Sequence, residues 1–315
     1  MSGVLLGFAV VLVLVGVGWA VTWLLPARAP EMQRGIAPLV YYVTNPALMF
    51  VLVSRSDPAA VLGTYAPLAL VVAAATGLLF AVVAGGLLRR PAGTVATGAM
   101  ASSYVNAGNI GVPVALYAVG STAPVVSVLL AQLLVVAPAY LAVFAWCRHR
   151  ADRGAGGDGD GLGRMLGRAL ANPVTVSTAV GLLAALLSAE LPEVLDVPLG
   201  MLADASVPLL LLLFGMSLRG RARGDGGTDR AAVAVGTALK VAVMPALAWA
   251  AGRFLFHLDG TDLLGVVIMA ALPTAQNVFL FAGHFRLSTA VVRDVSLASL
   301  VLALPVSVGI AVVLG

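Results

Sequence analysis

The feature that most constrains this chain is a succession of long apolar blocks, each of about 18–25 residues, the length a helix needs to cross a bilayer. Hydrophobic residues make up 61% of the sequence and charged residues 10%, and a soluble domain of this size could not bury so much apolar surface. The blocks lack the alternation that is typical of barrel strands. Because a bilayer core offers no water to unpaired backbone groups, the spans are predicted to be helices.

The predicted fold class is therefore an all-α polytopic membrane protein with ten transmembrane helices. The predicted spans lie near residues 3–25, 37–53, 64–87, 93–118, 121–146, 171–189, 200–218, 231–255, 262–283 and 289–314.

The distribution of basic residues supports ten spans in the cytoplasmic membrane with both termini outside. Cytoplasmic loops collect Lys and Arg, and in this orientation 15 arginines fall in inner loops, against Arg55 and Arg253 in outer loops. A missed or invented span would reverse every later loop and remove this bias. The net charge of +4 thus indicates topology and not nucleic-acid binding. The inner arginines are Arg28, Arg34, Arg89, Arg90, Arg148, Arg150, Arg153, Arg164, Arg168, Arg219, Arg221, Arg223, Arg230, Arg286 and Arg293.

A polar segment at 148–168, rich in Gly, Asp and Arg, divides the chain. Its composition is typical of a flexible linker, and on the predicted topology it is cytoplasmic. Five spans precede it and five follow. We therefore predict one five-helix repeat at 1–147 and a second at 169–315.

The two halves share proline landmarks. Pro46 and Pro113 are 67 residues apart in the first half, and Pro208 and Pro273 are 65 apart in the second. An odd number of helices per repeat turns the second copy upside down. Inverted repeats of this kind are the architecture of many secondary transporters, which bind substrate near the bilayer midplane between broken helices.

The fourth and ninth spans each carry helix-breaking residues in mid-membrane, in the runs 106–113 and 272–277. Proline removes an N–H and glycine permits unwound backbone, so both helices are predicted to be interrupted, at Pro113 and Pro273, and to cross. Half-helix N-termini and side-chain amides would then face an anion. The alternative is that the amides only bond between helices and the prolines only kink them. The predicted crossover residues are Gly108, Gly111, Pro113, Pro273 and Thr274, and the predicted amide donors are Asn106, Asn109, Gln276 and Asn277.

Five motifs follow one another in a fixed order, at 45–50, 106–113, 172–176, 208–215 and 271–282. Together they resemble the auxin efflux carrier family, which includes the plant PIN carriers and bacterial homologues within the bile-acid/arsenite/riboflavin transporter superfamily. The resemblance covers nearly the whole chain except the linker. It implies two inverted five-helix repeats with crossing broken helices 4 and 9, a homodimer, and elevator-type transport of small carboxylates, such as auxin, malate or malonate.

The resemblance also implies roles for single residues. Asn106 matches an Asn that lines the anion site of the plant carriers, and Pro113 and Pro273 match their crossover prolines. Gln132 matches a polar position in the fifth helix near that site, and Asn45, in the first motif, is a further candidate for substrate binding. The sequence departs from the plant pattern at Gln276 and Asn277, where the plant carriers have apolar residues. This difference favours a substrate that is smaller and more polar than auxin.

Among the charged residues within the predicted spans, Asp204 in the seventh and Lys240 in the eighth need a separate explanation. Charge at membrane depth is costly and is a functional candidate by default. We expect the two to form an ion pair that stabilises the second half without touching substrate. The alternative is that Asp204 reaches the outer interface and Lys240 extends to the inner one.

Other classes of protein fit less well. An intramembrane enzyme would need a nucleophile with a base or a metal cluster, yet His149, His257 and His284 fall at loops or helix ends, so no catalytic residue, metal or cofactor is expected. A cation/proton antiporter is disfavoured because the crossover runs contain no carboxylate. A sodium-coupled bile-acid-type symporter, and a channel or sensor on the same fold, stay open as alternatives.

Overall fold

The structure is a computed structural model, which describes residues 2–153, 173–189, 191–217, 229–275 and 277–315. Within these ranges the chain is helical and contains no strand, as predicted. Helices are numbered here in chain order, and each label includes any π-helical turns that continue the helix. They are α1 Ser2–Leu24, α2 Ala29–Ser54, α3 58–87, α4 Ala92–Ser103, α5 107–119, α6 123–153, α7 Pro173–Leu186, α8 Glu193–Ser217, α9 Arg230–Leu255, α10 Gly260–Ala271, α11 Asn277–His284 and α12 Ala290–Leu314.

Six of these helices are long and apolar enough to cross a membrane, namely α2, α3, α6, α8, α9 and α12. Shorter apolar stretches occur at Leu12–Leu24 of α1, in α7 and in α10. Large apolar side chains such as Leu24, Leu87 and Val313 are more than three-quarters exposed, a surface suited to lipid tails and not to water. These features are those of a polytopic membrane protein.

The described helices follow the predicted spans closely, with two kinds of difference. Helices α2, α3 and α8 begin ahead of the predicted residues 37, 64 and 200, and α6 ends beyond the predicted residue 146. In α2, which begins at Ala29, the added first turns are polar and continue the helix beyond its apolar part. The predicted spans at 93–118 and 262–283 are each divided into two helices, α4 with α5 and α10 with α11. These two divisions build the candidate site.

Five prolines of the described helices each follow a π-helical turn. Proline has no N–H and its ring clashes with the carbonyl four residues earlier, and a wider turn before it relieves that clash. Five π-helical turns end two residues before a proline, and these prolines are Pro46, Pro67, Pro113, Pro138 and Pro245.

Helices α1 and α8 pack with their backbones in close contact. A Cβ at Gly18 would overlap the main chain at Leu212, and one at Gly215 would overlap the carbonyl oxygen of Val15. Small residues permit such close approach between membrane helices, where packing and not the hydrophobic effect drives association. The two glycines therefore fix the α1–α8 contact.

Candidate functional site

The interruptions of the two broken helices meet each other. The chain is extended at 104–106, between α4 and α5, and again at 272–275, between α10 and α11. Val105 and Thr274 form an antiparallel β-bridge. The amide of Asn106 donates to the carbonyl of Pro273 at 2.8 Å, and the amide of Ala275 donates to the carbonyl of Tyr104 at 3.2 Å. Main-chain hydrogen bonds thus join the two breaks.

Side chains satisfy most of the remaining backbone groups at the breaks. The amide of Val105 donates to Oε1 of Gln132 at 2.7 Å. The amide of Thr274 donates to Oγ of Ser299 at 3.1 Å, and the Thr274 hydroxyl donates to the carbonyl of Ala101 at 2.6 Å. Because unpaired backbone groups are costly away from water, these bonds allow two helices to be unwound inside the protein.

The prediction that the first broken helix is interrupted at Pro113 is wrong. Pro113 is buried inside α5, and the helix continues through it directly after the π-helical turn Ala107–Gly111. The interruption precedes this turn, at 104–106. At Pro273 the interruption falls where it was predicted, between Leu272 and Thr274. Gly111 lies within the helix and not in unwound backbone. Its role is to permit close packing, since a Cβ there would lie 2.9 Å from Cδ1 of Leu272.

A cavity of about 560 Å³ opens beside the paired breaks, within the range of small-molecule sites. Two helix N-termini reach it, with Gly108 at the start of α5 and Asn277 at the start of α11. First-turn amides have no partner within their own helix and carry partial positive charge, which favours an anion. The two helix N-termini therefore favour an anion in the cavity.

Four predicted amide residues also line this cavity, namely Asn45, Asn106, Gln132 and Asn277. Asn106 is 5% exposed, whereas the side chain of Asn277 is exposed towards the cavity. The Oδ1 atom of Asn45 is buried without a hydrogen-bond partner in the structure. Amides at this depth can donate to carboxylate oxygens without adding charge.

Two further predicted residues cannot be placed. Gln276 and the side chain of Asn109 lie outside the described residues, although the backbone of Asn109 belongs to the first turn of α5. Gly108 lines the cavity as predicted, and Thr274 lies directly behind it, in the bridge.

The charge around the cavity is positive. Arg34 lies at the mouth, and the described lining residues include no acidic side chain. Tyr41, Tyr42 and Tyr104 add aromatic surface. Within the described part of the chain, no three His, Cys, Asp or Glu side chains come together in a way that could hold a metal ion. The arrangement is suited to a small organic anion.

The expected ion pair between Asp204 and Lys240 does not form. Asp204 is exposed on α8, whereas Lys240 is fully buried on α9. The Lys240 Nζ lies 3.1 Å from Sδ of Met244 and 3.4 Å from the carbonyl oxygen of Ala270. The side chain is thus directed towards α10, away from α8. The position of a residue along its helix does not fix the direction in which its side chain points.

Two buried residues of the site were not predicted. Ser299 on α12 accepts the Thr274 amide, and Ala101 near the end of α4 accepts the Thr274 hydroxyl. Neither residue type carries a signal in the sequence, because serines and alanines occur throughout membrane helices.

Comparison with known proteins identifies the chain. A family model described as "Membrane transport protein" matches residues 5–155 and 162–310, nearly the full length. The chain belongs to this membrane transport protein family, the auxin efflux carriers. Membership confirms the resemblance read from the five motifs, and with the apolar helices it establishes a multi-pass membrane transporter that acts on a small molecule.

One relative within the curated proteins is more specific. The chain is 31% identical over 268 residues to the protein named "Putative malonate transporter" from Rhizobium meliloti (strain 1021), an alignment that covers 81% of this chain and 78% of that protein. The name, and the substrate that it gives, belong to the relative.

Proposed function

We propose that the protein is a secondary carrier of a small dicarboxylate, with malonate as the first candidate, bound at the paired helix breaks. The observation that carries this proposal is the cavity that joins two helix N-termini and several amides to an arginine at its mouth, with no acidic side chain in its described lining. One carboxylate would bind at the helix N-termini with Asn106 and Asn45. The relative's name supports the choice of malonate.

The proposed topology has ten crossings in two inverted five-helix repeats, at 1–147 and 169–315, joined by the linker at 148–168. Support comes from the helix order, since α4 with α5 and α10 with α11 each count as one crossing. With both termini outside, the end of α2 that carries Arg34 would be cytoplasmic, and the mouth of the cavity would open on that side. We further propose an elevator movement of the paired breaks and a homodimer. Both proposals are supported by membership of the family.

The experiment that tests the proposal measures ligand binding and flux with the purified protein. Malonate should raise the melting temperature, because a ligand that binds only the folded state stabilises it, and proteoliposomes should show saturable malonate uptake. Asn106→Ala should weaken binding by about 1–3 kcal/mol, roughly 5- to 150-fold, because a donor or acceptor at the site is lost.

The matched control is Thr97→Ala, which removes a buried hydroxyl that bonds within its own helix and does not line the cavity. This variant should bind malonate as the wild type does. Equal malonate affinity and flux in a well-folded Asn106→Ala protein would move the substrate away from the breaks. Flux that does not saturate would favour a channel.

A further inference from the structure

Lys240 has an unusual position for a charged residue. It lies in the π-helical turn Leu239–Val243 of α9, its side chain is 0% exposed, and no carboxylate of the described residues forms a salt bridge with it. Its hydrogen-bond partners are Sδ of Met244 and the carbonyl of Ala270. Removing an ammonium group from water costs several kcal/mol. The group that Lys240 contacts must therefore offset this desolvation cost.

That group is the C-terminal end of a half-helix. Ala270 lies in the last turn of α10, and in a continuous helix its carbonyl would accept the amide of Thr274. The Thr274 amide instead donates to Ser299, which leaves the Ala270 carbonyl to Lys240. The end of a helix carries about half a negative charge on such carbonyls, so the ammonium is placed where a cation is stabilised.

The other broken helix is closed in a comparable way. The carbonyl of Ala101 in the last turn of α4 would accept the amide of Val105 in a continuous helix, but that amide donates to Gln132. The Thr274 hydroxyl donates to this carbonyl instead. A side-chain donor therefore occupies a released carbonyl at each break, a hydroxyl at α4 and an ammonium at α10.

In transporters with broken helices, carbonyls at half-helix C-termini are the ligands of the coupling Na⁺ or H⁺. We propose that Lys240 is a tethered cation that takes the place of such an ion at the end of α10, so that the protein assembles its anion site without Na⁺. The expectation that substrate transport does not need Na⁺ rests on the proposed function. The occupation of the helix end by Lys240 does not.

The surroundings allow the proposal to be tested by chemical rescue. A small cavity of about 30 Å³ lies against both groups that Lys240 contacts, Met244 and Ala270, and Ser103 and Gln132 also line it. This space is sufficient for about one water molecule. In Lys240→Ala the lost side chain would enlarge it, and a small cation could then reach the Ala270 carbonyl.

The first experiment measures the melting temperature of the detergent-purified protein in NaCl, methylammonium chloride and choline chloride at equal ionic strength. The wild type should melt at the same temperature in all three salts. Lys240→Ala should melt lower in choline by about 5 °C or more, and Na⁺ or methylammonium should restore at least half of the loss with a saturable dependence. Asp204→Asn is the matched control, and it should resemble the wild type.

Two further variants separate charge from hydrogen bonding and from space filling. Lys240→Gln keeps a donor without charge, and Lys240→Met fills the space without a donor; both should melt lower than the wild type and neither should respond to Na⁺. Wild-type stability in Lys240→Gln would overturn the proposal, as would a saturable, Na⁺-specific stabilisation of the wild type or a Lys240→Ala protein indifferent to small cations. If Lys240→Ala does not fold, the melting temperatures of the wild type and of Lys240→Gln still test the proposal.

A second readout uses proteoliposomes. Malonate uptake by the wild type should have the same initial rate with Na⁺ or choline outside. At least a threefold dependence on Na⁺ would contradict the tethered-cation proposal, whereas absence of malonate binding and uptake under every condition would contradict the proposed substrate and leave the melting data valid.

Discussion

The Thr274 hydroxyl offers a direct test of how the two breaks are held together. Thr274 is 3% exposed, and its hydroxyl donates to the carbonyl of Ala101 at 2.6 Å. Thr274→Val keeps the shape of the side chain but leaves that carbonyl without its donor. An unsatisfied buried acceptor costs about 1–3 kcal/mol. For a chain of this size we expect the melting temperature to fall by roughly 2–6 °C.

The assay compares Thr274→Val with Thr76→Val in thermal unfolding of the purified protein. Thr76 is equally buried, but its hydroxyl bonds to the carbonyl of Val72 in its own helix, which keeps its helical N–H partner, so the control should shift by less than about 1 °C. Ser299→Ala should be non-additive with Thr274→Val, because the two side chains share a hydrogen bond. Equal melting temperatures for Thr274→Val and the wild type would refute the assignment.

Three further predictions concern other parts of the molecule. Gly215→Ala should lower the melting temperature by several degrees because its methyl group would overlap the main chain of α1, whereas Gly309→Ala, with open space around it, should not. Gln132→Leu should cost about 1–3 kcal/mol in thermal unfolding, since the amide of Val105 loses its acceptor. Arg34→Gln should raise the Kd for malonate about threefold to tenfold at low salt, in a binding titration, and the effect should shrink at high salt.

The sequence contained enough information to locate the membrane helices and one of the two breaks. Apolar length predicted the long helices because a span must cover the hydrocarbon core, and Pro273 marked its break because proline lacks an N–H and its ring clashes with the carbonyl four residues earlier. Pro113 carried the same signal and gave the wrong position. The π-helical turn that accommodates it depends on tertiary packing, and the real break depends on Gln132, a partner on another helix.

The partners of single side chains could not be predicted for a related reason. Depth along a helix follows from residue number, at about 1.5 Å per residue, but the direction of a side chain depends on every turn before it. Lys240 lies in a π-helical turn, which rotates the residues beyond it relative to a regular helix. The sequence thus indicated that this lysine matters and assigned it to the wrong neighbour.

The bridge between Val105 and Thr274 has a consequence for how such a protein can diversify. Besides the Thr274 hydroxyl bond, two of the bonds that join the breaks run from main chain to main chain, between 104 and 106 on one side and 273 and 275 on the other. Main-chain bonds do not depend on the identity of the side chains that project beside them. Under the proposed function, substitutions at Asn106 or Asn277 would therefore change which anion is selected without removing the main-chain bonds between the breaks, so one architecture could acquire new substrates through single mutations.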